Sequence, residues 1–470
     1  MRSLKLILYS QYRDMKRWKR WLLLLLLAVL AYGIRYAWVS FPIMSGFTAK
    51  NMCSCVFVGG RSDESVKAEE LANFPLSLAD YAINRQESSV TATVFGLAKK
   101  KAIYREGYGC TLINERTENE LRNQPAVKLR SSPENDSLPW PAGAQRINFI
   151  TANVDYPRLN RLMQEHVNNT NKKSRHAARA VVVVYDGKLL AEQYAPGFNK
   201  NSKMLGWSMA KSVTGAMIGV LVKQGKLRVD QPAPVPEWAD INDKRHAITL
   251  QQLLQQTSGL DFEENYTKYS DATRMLFNKA DMAAYTASRP SKDTPGSKFY
   301  YSSGNSNILS RIIRQTVGDK SYHSFLYDSV LYKVGMYSAV IEPDAGGTMV
   351  GSSYIFATAQ DWARFGLLYY NNGTVNGQQL FTDDWVKQTV APSPADKLGH
   401  YGYQFWLNGF DSDLPSQRKF TAAPADMYYA DGYAGQYVFI IPSKKLVIVR
   451  LGFENFNENE FLRKILTCCR

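Results

Sequence analysis

The stretch Gly206 to Asp230, GWSMAKSVTGAMIGVLVKQGKLRVD, constrains this chain more than any other segment. Its apolar residues Val213, Met217, Val220 and Leu221 recur at spacings of three and four, which predicts a helix from Ser208 onward with one buried face. Gly225 follows Gln224, where such a helix is expected to stop. Ser208 and Lys211 then lie one turn apart on the same face, so the lysine amine can reach the serine hydroxyl. A serine hydroxyl is a weak nucleophile until an adjacent base takes its proton, and lysine acts as that base only when burial or nearby positive charge lowers its pKa. Free backbone N–H groups at the helix start can hold a developing oxyanion. The bland alternative is a chance S-x-x-K, with Ser208 a plain N-cap and Lys211 solvated.

The surroundings favour the chemical reading. Ser-Met-Ala-Lys at the head of an apolar helix, followed by G-K-L-x-x-D (Gly225 to Asp230), resembles the serine β-lactamase and penicillin-binding-protein superfamily in its class C branch. LLQQTSGL (Leu253 to Leu260), PGSKFYYSSGNSNIL (Pro295 to Leu309) and SSYIFATAQDWARFGLLYYNNG (Ser352 to Gly373) are similar to that branch and come in its order, so the resemblance spans about Ala178 to Phe453.

An α+β fold fits the remaining pattern. ARAVVVVYDGKLLAEQYA (Ala178 to Ala195) reads as two strands joined at Asp186-Gly187, and Thr249 to Val340 is mostly helical. Strands return at Gly435 to Pro442 and Lys445 to Phe453 before a last amphipathic helix near Phe461 to Leu466. The resemblance implies an antiparallel sheet flanked by helices, with a helical subdomain.

At the amino terminus, Arg2, Lys5, Arg13, Lys16, Arg17, Lys19 and Arg20 stand against Asp14 and precede WLLLLLLAVLAYGI (Trp21 to Ile34), which YAWV (Tyr36 to Val39) extends past Arg35. Trp21 to Val39 would span about 28 Å, close to a bilayer core. The basic residues place the amino terminus in the cytoplasm and the main domain outside it. A signal sequence cleaved after Ala31 is the alternative, and it also exports the chain. Much of the net charge of +15 therefore has a topological origin, and no nucleic-acid module is evident.

The expected division is a basic tail (1–20), a transmembrane signal anchor (21–39), an extension with linker (40–143) and a hydrolase domain (144–470). Short alternating segments predict that the extension is a small α+β lobe without evident chemistry, ended by a linker at Pro133, Pro139 and Pro141. Cys53, Cys55 and Cys110 all fall in strand-like segments of it, so a disulfide between Cys110 and Cys53 or Cys55 is expected, with free buried thiols as the alternative. Cys468 and Cys469 complete the set, and no metal or cofactor is expected.

By resemblance, Tyr301 in Tyr301-Ser302-Ser303 relays a proton between Ser208, Lys211 and the leaving group, its phenol depressed by the neighbouring ammonium. Ser303 replaces the family's asparagine, which helps to orient a substrate amide. The third motif, Lys-Thr-Gly or His-x-Gly in relatives, is matched to Tyr433-Ala434-Gly435. Gly435 would allow close approach of substrate, with the Gln436 N–H as second oxyanion donor.

Two rivals carry less. Gly-x-Ser-x-Ala also suggests an α/β-hydrolase elbow, yet Phe198 to Leu205 is a poor strand, and His323 and His400 have no triad-like setting. A non-catalytic peptidoglycan-binding or sensor module would not need Ser208, Lys211 and Tyr301 together. The expected partners are a small ester or amide substrate and the membrane. Without a cation at Tyr433, small neutral esters or linear amides are favoured over β-lactams or D-Ala peptides, a pattern closest to the 6-aminohexanoate-dimer hydrolase and esterase relatives of class C enzymes.

Overall fold

The computed structural model describes residues 2–469 except 126, 133–137, 144, 146–150, 169–177 and 454–455. The expected linker residue Pro133 and the expected boundary at 143/144 fall on or beside positions outside that description.

A six-stranded antiparallel sheet organises the main domain. Its strands are β5 (Ala180–Tyr185), β6 (Lys188–Tyr194), β7 (Trp406–Leu407), β8 (Tyr428–Gly432), β9 (Gln436–Ile441) and β10 (Leu446–Leu451), in the spatial order β7-β8-β9-β10-β5-β6. The sheet closes when β10 pairs with β5, Leu446 opposite Tyr185 and Leu451 opposite Ala180. The β5–β6 turn at Asp186-Gly187 has both φ positive, as that dipeptide predicts.

The unbroken valine run of β5 has a simple cause, since both faces of the sheet are covered. Val182 and Val184 face a core built on α3 (Met209–Lys223), α4 (Ser303–Val317) and α5 (Ala359–Tyr370). Val181 and Val183 face a second layer of α2 (Tyr156–Asn168) and α6 (Glu458–Leu466). Successive side chains on a strand alternate faces, so burial on both sides removes the polar positions.

The amino-terminal lobe is an antiparallel sheet in the order β1 (Ala79–Asn84), β2 (Ser89–Val94), β3 (Leu97–Arg105), β4 (Gly109–Leu112). The end of α1 (Arg2–Cys53) is buried against it. The helix that carries the apolar stretch runs on through Pro42 to Cys53 and continues as a π-helical turn, Ser54–Val58, and one expectation about this region needs correction. Cys53 and Cys55 are thus helical, because packing of Ala49, Met52 and Cys53 against the sheet extends the helix through a segment whose local pattern reads as strand. Cys53 bonds Cys110, while Cys55, Cys468 and Cys469 are buried free thiols.

The lobe shares one core with the main domain, in which Met52, Ala102 and Leu112 meet Phe262, Met275 and Phe277. Within it Lys50 pairs with Glu342, which also accepts from the Ser54 hydroxyl and, at 2.7 Å, from the Cys110 N–H. Arg179 and Arg61 meet Glu69 and Glu70 in a second linkage between the lobe and the start of β5.

The apolar stretch of α1 is long enough to cross a membrane, and none of it is covered by the rest of the chain. Such a helix serves as an anchor or a signal sequence.

Candidate active site

Ser208 sits where a short strand turns into α3. Met204–Leu205 pairs with Ile355–Ala357, the Gly206 N–H donates to the Ile355 carbonyl at 2.8 Å, and Trp207 takes a positive φ of 48°. Ser208 is then already helical (φ −65°, ψ −7°), and its side chain makes no capping bond. The hydroxyl instead accepts from Lys211 Nζ at 3.1 Å. The helix stops where Gly225 (φ +68°) predicts, but α3 is not one-sided: every residue from Met209 to Leu221 is buried. Small residues allow this, for a Cβ on Gly219 would lie 2.5 Å from the Trp385 ring.

Lys211 is 1% exposed. Its amine also donates to Ser303 Oγ and to the Ser352 carbonyl, each at 3.0 Å. Burial pushes it down to about 8, against the opposing pull of Glu264 and Asp431. The SSYIFATAQDW segment therefore acts as a clamp, with the Ser352 carbonyl fixing the amine and the Gly351 carbonyl accepting from Thr214 one turn further along α3.

Tyr301 is held by the LLQQTSGL segment in a similar way. The Gln256 carbonyl accepts from Tyr300 N–H at 2.9 Å, and the Gln256 side chain accepts from Ser302 N–H at 3.1 Å. The Tyr301 ring lies 4.8 Å below the Lys211 amine and stacks on Trp406 at 5.1 Å, and its phenol interacts with the Ser208 side chain. The expectation of a depressed phenol is overturned: burial pushes Tyr301 well above its ordinary value, with Tyr401, Glu264 and Tyr266 adding to the rise. The phenol therefore keeps its proton at neutral pH.

Ser303 opens α4 and is fully buried. It accepts from Lys211 and donates its hydroxyl to Glu264 Oε1 at 2.6 Å, while its N–H reaches Glu264 Oε2 at 2.9 Å. Tyr266 completes the cluster, 2.7 Å from both Ser303 Oγ and Glu264 Oε1. Sequence reading missed Glu264 and Tyr266, because DFEENYTKYS has no periodicity and only the fold brings it over α4. Asp431 on β8 was missed too; burial raises it to about 7, with Lys419 and Lys211 opposing the rise.

At the expected third motif, the close backbone approach falls three residues before Gly435. Tyr433, Ala434 and Gly435 form the β8–β9 turn, where Ala434 and Gly435 have φ of +62° and +84°. Close approach belongs to Gly432, on which a Cβ would lie 2.1 Å from the Gly206 carbonyl. Gln436 starts β9, which β8 and β10 flank, and its side chain turns away to Gly452. Tyr433 directly follows Gly432. The Tyr433 ring is 60% exposed and meets the Trp207 ring edge-on at 5.5 Å, giving the mouth an aromatic rim.

The late histidines have other duties. His323 is wedged against Tyr108 and Tyr322 and pushed down to about 4 by burial, and His400 hydrogen-bonds the Phe410 carbonyl. A short strand does precede Ser208, but Ser208 is helical and lacks the strained conformation of an α/β-hydrolase elbow.

This geometry agrees with what the chain resembles. Over 297 residues, 58% of this chain and 71% of the other, it is 24% identical to a 6-aminohexanoate-dimer hydrolase of Paenarthrobacter ureafaciens. Among solved structures, EstCE1, a hydrolase with promiscuous acyltransferase activity, superposes with a TM-score of 0.54 at 14% identity, covering 67% of this chain and 99% of that one. A class C beta-lactamase superposes with a TM-score of 0.51 at 16% identity, covering 68% and 99%. These two likenesses are likenesses of fold. The Beta-lactamase family model matches residues 159–461, from α2 to α6 and so across the whole site, and the chain belongs to that family.

Proposed function

We propose that the chain is a serine hydrolase that cleaves neutral esters or linear amides through an acyl-enzyme on Ser208. The observation that carries this reading is the charge balance of the site. Two carboxylates, Glu264 and Asp431, act on the buried Lys211 amine, Lys419 acts on Asp431, and neither Tyr433 nor Ala430, two residues before Gly432, is a cation. A substrate carboxylate, as in β-lactams or D-Ala peptides, would meet no charge-assisted partner there, a loss of about 1.5–3 kcal/mol. The relationship to a 6-aminohexanoate-dimer hydrolase points the same way.

In the proposed reaction neutral Lys211 takes the Ser208 proton as Oγ attacks the carbonyl carbon. The oxyanion is held by the backbone N–H groups of Ser208 and Tyr433. The Tyr301 phenol protonates the leaving alcohol or amine and regains a proton from the Lys211 ammonium. Water then takes the place of the leaving group and releases the acid. Glu264 and Tyr266 fix Ser303, and through it the amine.

A fluorophosphonate probe with peptide mapping tests the nucleophile: labelling of Ser208 that disappears in Ser208→Ala is expected, and labelling that persists refutes it. A panel of p-nitrophenyl esters, linear amide oligomers, D-amino-acid peptides and a chromogenic cephalosporin tests the substrate class. Cephalosporin turnover faster than every ester and amide would overturn the reading. We also read α1 as an anchor with the hydrolase domain outside the cytoplasm, supported by the basic residues before Trp21 and by the Cys53–Cys110 disulfide. Protease shaving of spheroplasts checks this, and a domain protected until the membrane is dissolved would contradict it.

A further inference from the structure

The lobe carries exposed apolar side chains well away from the catalytic cleft: Phe74 is 80% exposed, Phe95 65% and Leu97 62%. They share one end of the four-stranded sheet. Ala79 pairs with Val94 and Val94 with Leu97, so the segment leading into β1 and the β2–β3 turn lie side by side. That end touches α1 where its uncovered apolar stretch meets the body of the protein. The Phe95 ring packs edge-on against Phe41 at 5.9 Å, and the Ser45 hydroxyl donates to the Ala98 carbonyl. Trp38, one turn before Phe41, is 81% exposed.

The turn itself is chemically odd. Phe95 and Gly96 both have positive φ, 51° and 73°, the type I′ pattern whose first position normally takes Asn, Asp or Gly. A bulky aromatic in that conformation is strained, and its edge-on contact with Phe41 leaves most of the ring facing the outside. Folding alone would favour Asn-Gly. Local strain combined with exposed apolar area is the pattern of a contact made with something outside the chain.

We propose that Phe74, Phe95 and Leu97 enter the interfacial layer of the same bilayer that α1 crosses, so that the lobe holds the hydrolase domain to the membrane at a second point. The inference rests on the anchor reading of α1. Lipid is the occupant because the patch is continuous with the uncovered apolar helix, and because the exposed Lys99 next to the turn suits the headgroup level. The second contact would also set the height of the site. Six residues beyond Phe41, about 9 Å along the helix, the Phe47 ring stacks on Trp207, the residue before Ser208, at 6.3 Å. The cleft is thereby kept close to the bilayer surface, where amphiphilic esters and amides collect.

The test uses the full chain in phosphatidylcholine/phosphatidylglycerol nanodiscs with single nitroxide labels at Leu27→Cys, Phe95→Cys and Gln86→Cys, the last at the opposite end of the sheet. Labels at 27 and 95 are expected to collide more with oxygen than with a water-soluble nickel chelate, and the label at 86 the reverse. A lipid signature at 27 with a water signature at 95 overturns the inference and leaves the anchor intact. A water signature at 27 overturns both. Spin–spin broadening between Phe95→Cys labels that share a disc would identify a second copy as the occupant and also overturn it. Because Phe95→Cys removes the ring in question, a label at Lys99→Cys is compared with and without Phe95→Asn. The asparagine variant should lose the lipid signature at 99 while its unfolding temperature stays level or rises, and an unchanged signature at 99 refutes the proposal.

Discussion

Lys211 makes the most demanding prediction, because its burial ties activity and stability to the same proton. With the amine pushed down to about 8, roughly one tenth of the enzyme holds the neutral base at pH 7 and roughly nine tenths at pH 9. Measured as kcat/KM on a p-nitrophenyl ester, with spontaneous hydrolysis subtracted, activity should rise about tenfold between these values and level off above them. Glu264→Gln removes a carboxylate that raises the amine, so its midpoint should move to lower pH. The sign for stability is opposite to that of an ordinary ion-paired lysine. The unfolded chain takes up this proton below 10.5 but the folded one only below about 8, so Lys211 adds stability with rising pH across that window. Below the window it imposes a standing penalty of about 3 kcal/mol. Lys211→Met relieves that penalty and leaves the Ser352 carbonyl without its donor, a loss of about 1–3 kcal/mol. The variant should therefore be inactive yet at least as stable as the parent at pH 7. Lys211→Arg should also be inactive, since guanidinium does not release its proton. A rate profile flat from pH 6 to 10, a Glu264→Gln midpoint displaced to higher pH, or an active arginine variant would refute the assignment of Lys211 as base.

Three further outcomes follow from the geometry. Gly432→Ala should displace β8 from the nucleophile turn and abolish labelling of Ser208 while the fold survives by circular dichroism, because the new Cβ would lie 2.1 Å from the Gly206 carbonyl. Replacing both Cys53 and Cys110 by alanine opens a loop with a sequence separation of 57 residues and should cost about 4 kcal/mol in denaturant titrations. Tyr433→Lys should improve cephalosporin turnover by about one power of ten if the missing cation is what limits it, and unchanged turnover shows that the limit lies elsewhere.

The helix of Ser208 and Lys211 was readable because its signals are local: a 3–4 spacing, a terminating glycine, and two functional groups one turn apart. Its complete burial was not, since Gly215 and Gly219 look neutral until Gln404 and Trp385 pack on them. The remaining strands and the last helix were legible for the same local reason, alternation or period. Glu264, Tyr266 and Asp431 were illegible because only contacts across the fold bring them to act on Ser303 and Lys211. The third motif shows the same limit in a sharper form. Gly432 and Gly435 flank Tyr433, and nothing local says which of them faces the nucleophile; only the Gly206 carbonyl decides it. In the lobe, local pattern misled outright, for the segment after Met52 reads as strand and is held helical by its neighbours.

The placement of α1 changes what the amino-terminal segment can be. An anchor that merely tethers an enzyme is joined to it by a linker and can be removed. Here Ala49, Met52 and Cys53 are fully buried in the core shared by lobe and main domain, and Phe47 stacks on Trp207 beside Ser208. The last turns of the helix are thus part of the wall behind the nucleophile. Cleavage after Ala31 would leave those turns in place, so the cleaved-signal alternative and the anchor reading both keep the site intact. Removal of residues 40–53 would not: it deletes Lys50 and strands the buried Glu342 carboxylate without its partner, a loss of about 3–5 kcal/mol before any packing is counted. A soluble form must therefore begin before Phe41, and the apolar helix is at its carboxyl end a structural element of the hydrolase itself.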